Sequence, residues 1–132
     1  MRKYVLLLLA GFILSSCAKD IVISYNAQAQ KTGNVVLTPD KPLYKTDMLL
    51  NDSLMFENKA VRSITLEGLP VGPHKINLKS DYTFYKDNMD VTYEPMVSET
   101  KKQNETVAVP AYSTSFYVIG ALVLSSSLLL IL

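Results

Sequence analysis

"SITLEGLPVGPHKINLKS", residues 63–80, decides how the chain is read. On one side of its centre Ile64 and Leu66 alternate with Ser63 and Thr65; on the other, Ile76 and Leu78 oppose Lys75, Asn77 and Lys79. A period of two is the spacing of a half-buried β-strand, because successive side chains leave a strand on opposite faces. Between the two runs stand Gly68, Pro70, Gly72 and Pro73. Proline fixes φ near about −65° and glycine admits positive φ, so this interval predicts a tight change of direction.

Working outward, the same grammar recurs. "IVISYNAQA" (21–29) opens with β-branched residues and continues with alternation at Ile23, Tyr25, Ala27 and Ala29. "NVVLT" (34–38) is closed by Pro39 and Pro42, and "MLLNDSLMF" (48–56) sets two apolar runs around Asn51-Asp52-Ser53, a hairpin turn. "AVRSITLEGL" (60–69), "YTFYK" (82–86), "DVTYEPMV" (90–97) and "ETVAVPA" (105–111) add further short strands. Turns spaced by about ten residues predict a mainly β fold, a small antiparallel β-sandwich, with one hydrophobic helix at the C-terminus. Residues 34–110 make the sandwich body, too short for more than one core.

Residues 63–80, within a span from Asn34 to Ser80, resemble the closing hairpin of PEGA-like domains of the cell envelope, where a strand, a Gly-Leu-Pro-x-Gly turn and a second strand recur. The resemblance implies a sandwich in which 63–69 and 74–80 pair as neighbours.

The two ends carry a different message. Met1-Arg2-Lys3-Tyr4 is followed by ten uncharged, leucine-rich residues, Val5 to Leu14, and then by Ser15, Ser16 and Cys17, the single cysteine. A basic start, an apolar core of about 7–15 residues and small residues before a cut describe a secretory signal peptide. Leu14-Ser15-Ser16-Cys17 resembles the lipobox of bacterial lipoproteins. The resemblance implies that residues 1–16 are removed, that the Cys17 thiol is acylated, and that 17–33 hold the lipid anchor and first strand. Lys19-Asp20 partly resembles an export signal of surface lipoproteins in one Gram-negative group, although Ile21 stands where a further acidic residue belongs. No charged residue follows Glu105, and "FYVIGALVLSSSLLLIL" (116–132) holds nothing more polar than three serines. Residues 111–132 are expected to form a transmembrane helix, with Tyr112, Phe116 and Tyr117 in the interfacial aromatic belt. A core helix of a larger assembly, or a signal for a glycolipid anchor, are the other readings of this tail.

Removing Arg2 and Lys3 with the signal leaves 11 basic against 12 acidic residues, a formal charge of −1, and no basic patch, so nucleic acid is not an expected partner. No phosphate loop, metal-ligand spacing or nucleophile–base pair is present, so neither enzyme activity nor a cofactor is expected. His74 beside its turn reads as solvated, and Asp81, Asp87, Asp90 and Glu94 match no calcium loop. Tyr82, Tyr85 and Tyr93 are the candidate binding surface, with alternation burying Tyr82 and Phe84 and showing Tyr85. Asp52-Ser53-Leu54 resembles an O-glycosylation acceptor of the same Gram-negative group, which implies a glycan on Ser53. Asn51-Asp52-Ser53 and Asn104-Glu105-Thr106 also fit the N-glycan sequon.

The expected role is a small cell-envelope lipoprotein, an accessory or scaffold subunit that contacts other envelope proteins. Membrane lipid is reached through acylated Cys17 and residues 116–132, and the sandwich lies on the periplasmic or outer side of the inner or outer membrane. The alternative is a module that binds glycan or peptide through its exposed tyrosines.

Overall fold

The computed structural model of the chain describes residues 17–25, 31–99 and 101–131. The lipobox residues before Cys17 and the end of the 21–29 segment lie outside the described residues. The strands are β1 (Lys19–Ser24), β2 (Thr32–Pro39), β3 (Leu43–Leu50), β4 (Ser53–Pro70), β5 (Gly72–Pro73), β6 (Ile76–Ser80), β7 (Met89–Tyr93), β8 (Met96–Val97) and β9 (Lys102–Val107). One helix, α1 (Thr114–Ile131), follows them.

The fold is mainly β, built on one long hairpin. Leu50 pairs with Ser53 across a two-residue loop, Asn51 (φ 50°) and Asp52 (φ 66°). Positive φ at both positions is the requirement of a type I′ turn, which asparagine and aspartate tolerate best after glycine. From that tip β3 and then β2 run back along the same side of β4, Leu43 opposite Val61, Leu37 opposite Ile64 and Thr32 opposite Pro70. β1 lies along the other side of β4, since Val61 and Ile64 also pair with Lys19 and Ile21. The two runs expected around residues 54–56 and 60–69 are therefore a single strand of 18 residues.

Drawn straight, β4 would measure about 59 Å at ~3.3 Å per residue. It is instead bent double. Its partner is broken by Pro39 and Pro42 between β2 and β3, and Lys45 (φ 47°) and Gly68 (φ 69°) sit where the register shifts. Such bulges turn a strand and increase its twist. The burial pattern moves with them: Val61, Ile64, Leu66 and Leu69 all face inward, which strict alternation would not allow.

The two ends of β4 meet at His74. Its Nε2 lies 2.7 Å from Pro70 O, and its Nδ1 lies 3.0 Å from Asn51 Nδ2. Pro70 O can only accept, so Nε2 carries the hydrogen; Asn51 Oδ1 already accepts the Lys75 N–H at 2.9 Å, which leaves Nδ2 to donate to Nδ1. The histidine expected to be solvated is thus a clasp between the hairpin tip and the far end of β4.

Around this bend the sheet takes the order β7-β6-β3-β4-β2-β9, with β1 on the free side of β4. The expected all-antiparallel arrangement is corrected in two places, because β1–β4 and β2–β9 are parallel. Hairpin turns join only antiparallel neighbours, whereas β9 returns to β2 from the other half of the sheet by the 94–101 connection. The curl brings the end strands towards each other: burial, and after it the Glu105 carboxylate of β9, raises the phenol of Tyr93 on β7. Gly33 lets the connection close the gap: a Cβ there would overlap Ser98 O and press Val97. Val35, Leu37, Met48, Leu50, Ile64, Leu66, Ile76 and Leu78 from both halves fill the interior at no more than 3% exposure. Each such side chain contributes about 1.5–3 kcal/mol by leaving water.

The resemblance to a closing hairpin at 63–80 meets a different connection here. β6 pairs with β3 and β7, not with β4, and the 68–73 turn carries the chain across the mouth of the bend. The boundary expected at 33/34 falls inside β2, and β1 and β2 pair with the same strand, β4.

The clasp gives a direct test. His74→Phe keeps bulk but removes the bonds to Pro70 O and the Asn51 amide, a loss of about 0.5–1.5 kcal/mol for each. Asn51→Gly keeps the turn and removes the bond to His74, together with the acceptor of the Lys75 N–H. In detergent-solubilised full-length chain each variant should lower the thermal midpoint by several degrees, and the double variant by less than the sum. Additive losses would show that the two residues do not act together.

Candidate functional site

Residues 82–86, expected as a strand, form a turn in which the Tyr85 N–H donates to Tyr82 O at 3.0 Å; one bridge ties Tyr85 to Tyr112. Period two does not apply in a turn, and the expected exposure is reversed. Tyr85 is buried, at 5% exposure, while Tyr82 and Phe84 are half-buried. The Tyr85 hydroxyl accepts the Tyr44 N–H at 3.0 Å and points its own proton at Pro42 O, 3.5 Å away. It therefore closes the backbone at the break between β2 and β3.

Six further rings gather around it. Tyr82 contacts Tyr44 (5.1 Å between centroids), Phe84 (5.5 Å) and Tyr85 (5.0 Å). Tyr85 stacks on Tyr112 at 5.9 Å, Tyr112 stacks on Phe116 at 4.3 Å, and Phe116 meets Phe84 at 5.8 Å and Tyr117 at 5.7 Å. Lys41 Nζ stands 4.5 Å from the Tyr112 ring centroid, a cation–π contact. The cluster joins the bend of the sheet to the first turn of α1. Burial pushes the phenol of Tyr85 up to about 12, although the Tyr44 N–H pulls it the other way. Burial, with Tyr44 nearby, also raises Tyr82 and Tyr112.

The three tyrosines proposed from sequence are not brought together as an exposed surface. Tyr82 and Tyr85 belong to the cluster, while Tyr93 sits on β7 opposite Ile76, half-buried against the core. Ser53 is exposed at the hairpin tip beside Asp52, and Cys17 is an exposed, unpaired thiol two residues ahead of β1. Among the described residues no group of His, Cys, Asp or Glu could hold a metal ion. Asp81 and Asp90 line an open depression with Asp47, Lys79 and Asn88, and Asp90 accepts the Asn77 amide at 2.9 Å.

α1 differs from the expected helix over 111–132. Residues 111–113 are not helical, and among the described residues no helix is long and apolar enough to cross a membrane. Its 18 residues give about 27 Å at 1.5 Å per residue, against a hydrocarbon core of about 30 Å. The helix nonetheless lacks a polar side: Ile119, Leu122, Leu124, Leu128 and Leu129 are 47–78% exposed. The hydroxyls of Ser125 and Ser126 donate to Leu122 O (3.0 Å) and Val123 O (2.9 Å), so both are satisfied within the helix.

Sequence reasoning singled out Tyr82, Tyr85, Tyr112, Phe116 and Tyr117 separately but missed Tyr44 and Lys41 as their partners. Only the composition of 82–86, three aromatics in five residues, signalled the cluster. No protein-family model, curated protein or solved structure matches the chain. The functional reading therefore rests on the geometry together with the sequence of the two ends.

The raised Tyr85 pKa fixes a pH window. Its folded value lies above its unfolded one, so its contribution is complete below about pH 10 and is lost as pH rises towards 12. Alkaline titration followed by tyrosinate absorbance and circular dichroism should show late ionisation coincident with loss of sheet. Tyr85→Phe should remove that late step and lower stability at neutral pH by about 1–3 kcal/mol, because the Tyr44 N–H loses its acceptor.

Proposed function

We propose that this chain is a small membrane-anchored lipoprotein of the cell envelope, non-enzymatic, whose curled sheet serves as an accessory or scaffold subunit beside other envelope proteins. The observation that carries the membrane anchor is α1, exposed at every described position from Thr114 to Leu129 and without a polar side. A helix covered by one protein partner keeps a polar face towards water; one apolar all round belongs in lipid or in a large core. Internally satisfied serine hydroxyls favour lipid, where no water is available to bond them.

Cys17 fits the same arrangement. It precedes Lys19, which pairs with Val61 at the bend, and Val61 pairs on its other side with Leu43, next to Tyr44 of the aromatic cluster. Neighbouring strands lie ~4.8 Å apart, so β1 and β3 are separated by about 10 Å across β4. An acyl chain on Cys17 and the root of α1 would leave the domain at the same pole. Two such anchors hold a protein firmly where one acyl chain is marginal. The opposite pole carries exposed apolar residues for a protein partner: Leu54 beside the hairpin tip, Val71 after β4, and Met96 opposite Pro73.

Membrane fractionation tests the reading. Cys17→Ser should leave the chain unacylated by intact-mass measurement yet still membrane-bound through α1. Leu122→Lys, at the centre of α1, costs about 2.5–3.5 kcal/mol in an apolar layer and should release only the Cys17→Ser form. Full release by Cys17→Ser alone would show that α1 is not in lipid, and an unmodified thiol in the mature protein would remove the lipoprotein assignment.

A further inference from the structure

The segment between the sheet and α1 has no slack. Val107 O accepts the Asp40 N–H at 3.1 Å, and the Val109 N–H donates to Asp40 Oδ1 at 3.1 Å. Ala111 O accepts the Lys86 N–H at 2.8 Å, and the Ser113 N–H donates to Phe84 O at 2.7 Å. Ring contacts from Phe84 and Tyr112 to Phe116 then fix the first turn of the helix. α1 is a rigid continuation of the sheet, not an anchor on a flexible tether.

That rigidity decides what lies at the level of the headgroups. Around the root of α1 stand Phe84, Tyr112, Phe116 and Tyr117, with Lys41 over the Tyr112 ring and the exposed Lys86 beside Phe84. Aromatic rings with polar tips partition to the boundary between hydrocarbon and water, and lysines reach phosphates from there. The Asp40 carboxylate accepts the Val109 N–H beside Lys41, and Asp87 follows Lys86 in the chain, so the surface carries both signs and suits phospholipid in general more than anionic lipid in particular.

Resting on the membrane-anchor reading, we propose that Lys41, Phe84, Lys86, Tyr112, Phe116 and Tyr117 form a collar that seats in the headgroup layer of a phospholipid bilayer. The collar holds the curled sheet in one orientation. The His74 clasp and hairpin tip then face away from the membrane, since Ser53 lies eight residues along β4 from Val61, about 26 Å at ~3.3 Å per residue.

The chain contains no tryptophan, so single-tryptophan variants of the full chain report position without background. The probe is a phosphatidylcholine vesicle brominated along its acyl chains, which quenches tryptophan on contact. Val123→Trp, within α1, should lose most of its emission; Phe84→Trp should show a partial loss with a blue shift; Leu54→Trp, beside the hairpin tip, should be unchanged. Lys86→Trp, at an exposed position, repeats the collar measurement without touching the packed rings. An unquenched Val123→Trp would refute the membrane anchor itself. Quenching at Val123→Trp with none at Phe84→Trp or Lys86→Trp would leave the anchor standing and overturn the collar. Quenching at Leu54→Trp would show the sheet lying on its side and would overturn the orientation.

Discussion

The architecture depends on the folding-over of β4. An extended strand of 18 residues cannot bury one face against itself; here Val61, Ile64, Leu66 and Leu69 of its second half enter the core, and Met55 and Phe56 of its first half pack partly buried against it. The bend is made possible by two prolines in the partner strand, which remove ladder donors, and by bulges at Lys45 and Gly68. It is closed by His74, whose two nitrogens reach Pro70 O and the Asn51 amide, and by the paired hydrogen bonds between Asn51 and Lys75. Hydrogen bonds at a partly exposed site exchange with water and add little net energy, so a clasp of this kind fixes geometry more than it adds stability.

Folding β4 double gives the domain two unlike poles. At the mouth, the type I′ turn, the 68–73 turn and His74 come together in a polar network that includes the Lys75–Asp52 ion pair at 3.2 Å. That pair is solvent-exposed and contributes little by itself. At the bend, the chain exchanges strands, β1 begins, and the backbone groups freed by Pro39 and Pro42 are taken up by Asp40 and by the Tyr85 hydroxyl. The aromatic cluster grows from this need. A buried phenol is required to cap the interrupted backbone, and its ring then offers a surface on which Tyr82 and Tyr112 pack.

The remaining half-edge of β4 shows how the sheet limits unwanted pairing. β1 covers β4 only from Val61 onwards, and among the described residues nothing pairs with 53–60 on that side. Glu57 and Lys59 project as exposed charges there, and Asn58 takes φ 52° with its N–H given to Asp47 at 2.7 Å. Charge and a local kink are the usual means of blunting a strand edge.

What the sequence determined by itself was local. Alternation at Ile76/Leu78 and Val35/Leu37 announced strands; Asn51-Asp52 announced the hairpin turn, because few residues accept positive φ twice in succession. The uncharged run after Glu105 announced a helix that water alone would not stabilise. Tertiary structure decided everything that depends on partners distant along the chain. Whether 53–70 is one strand or two, which strands run parallel, and which way Tyr85 points follow from a bend across which His74 bonds Pro70, four positions back, and Asn51 at the hairpin tip, 23 positions back. The candidate site shows the same division. Residue composition signalled aromatics near 82–86, but their gathering with Lys41, Tyr44 and Tyr112 rests on a buried hydroxyl answering a backbone N–H 41 residues away, and no local pattern encodes such a bond.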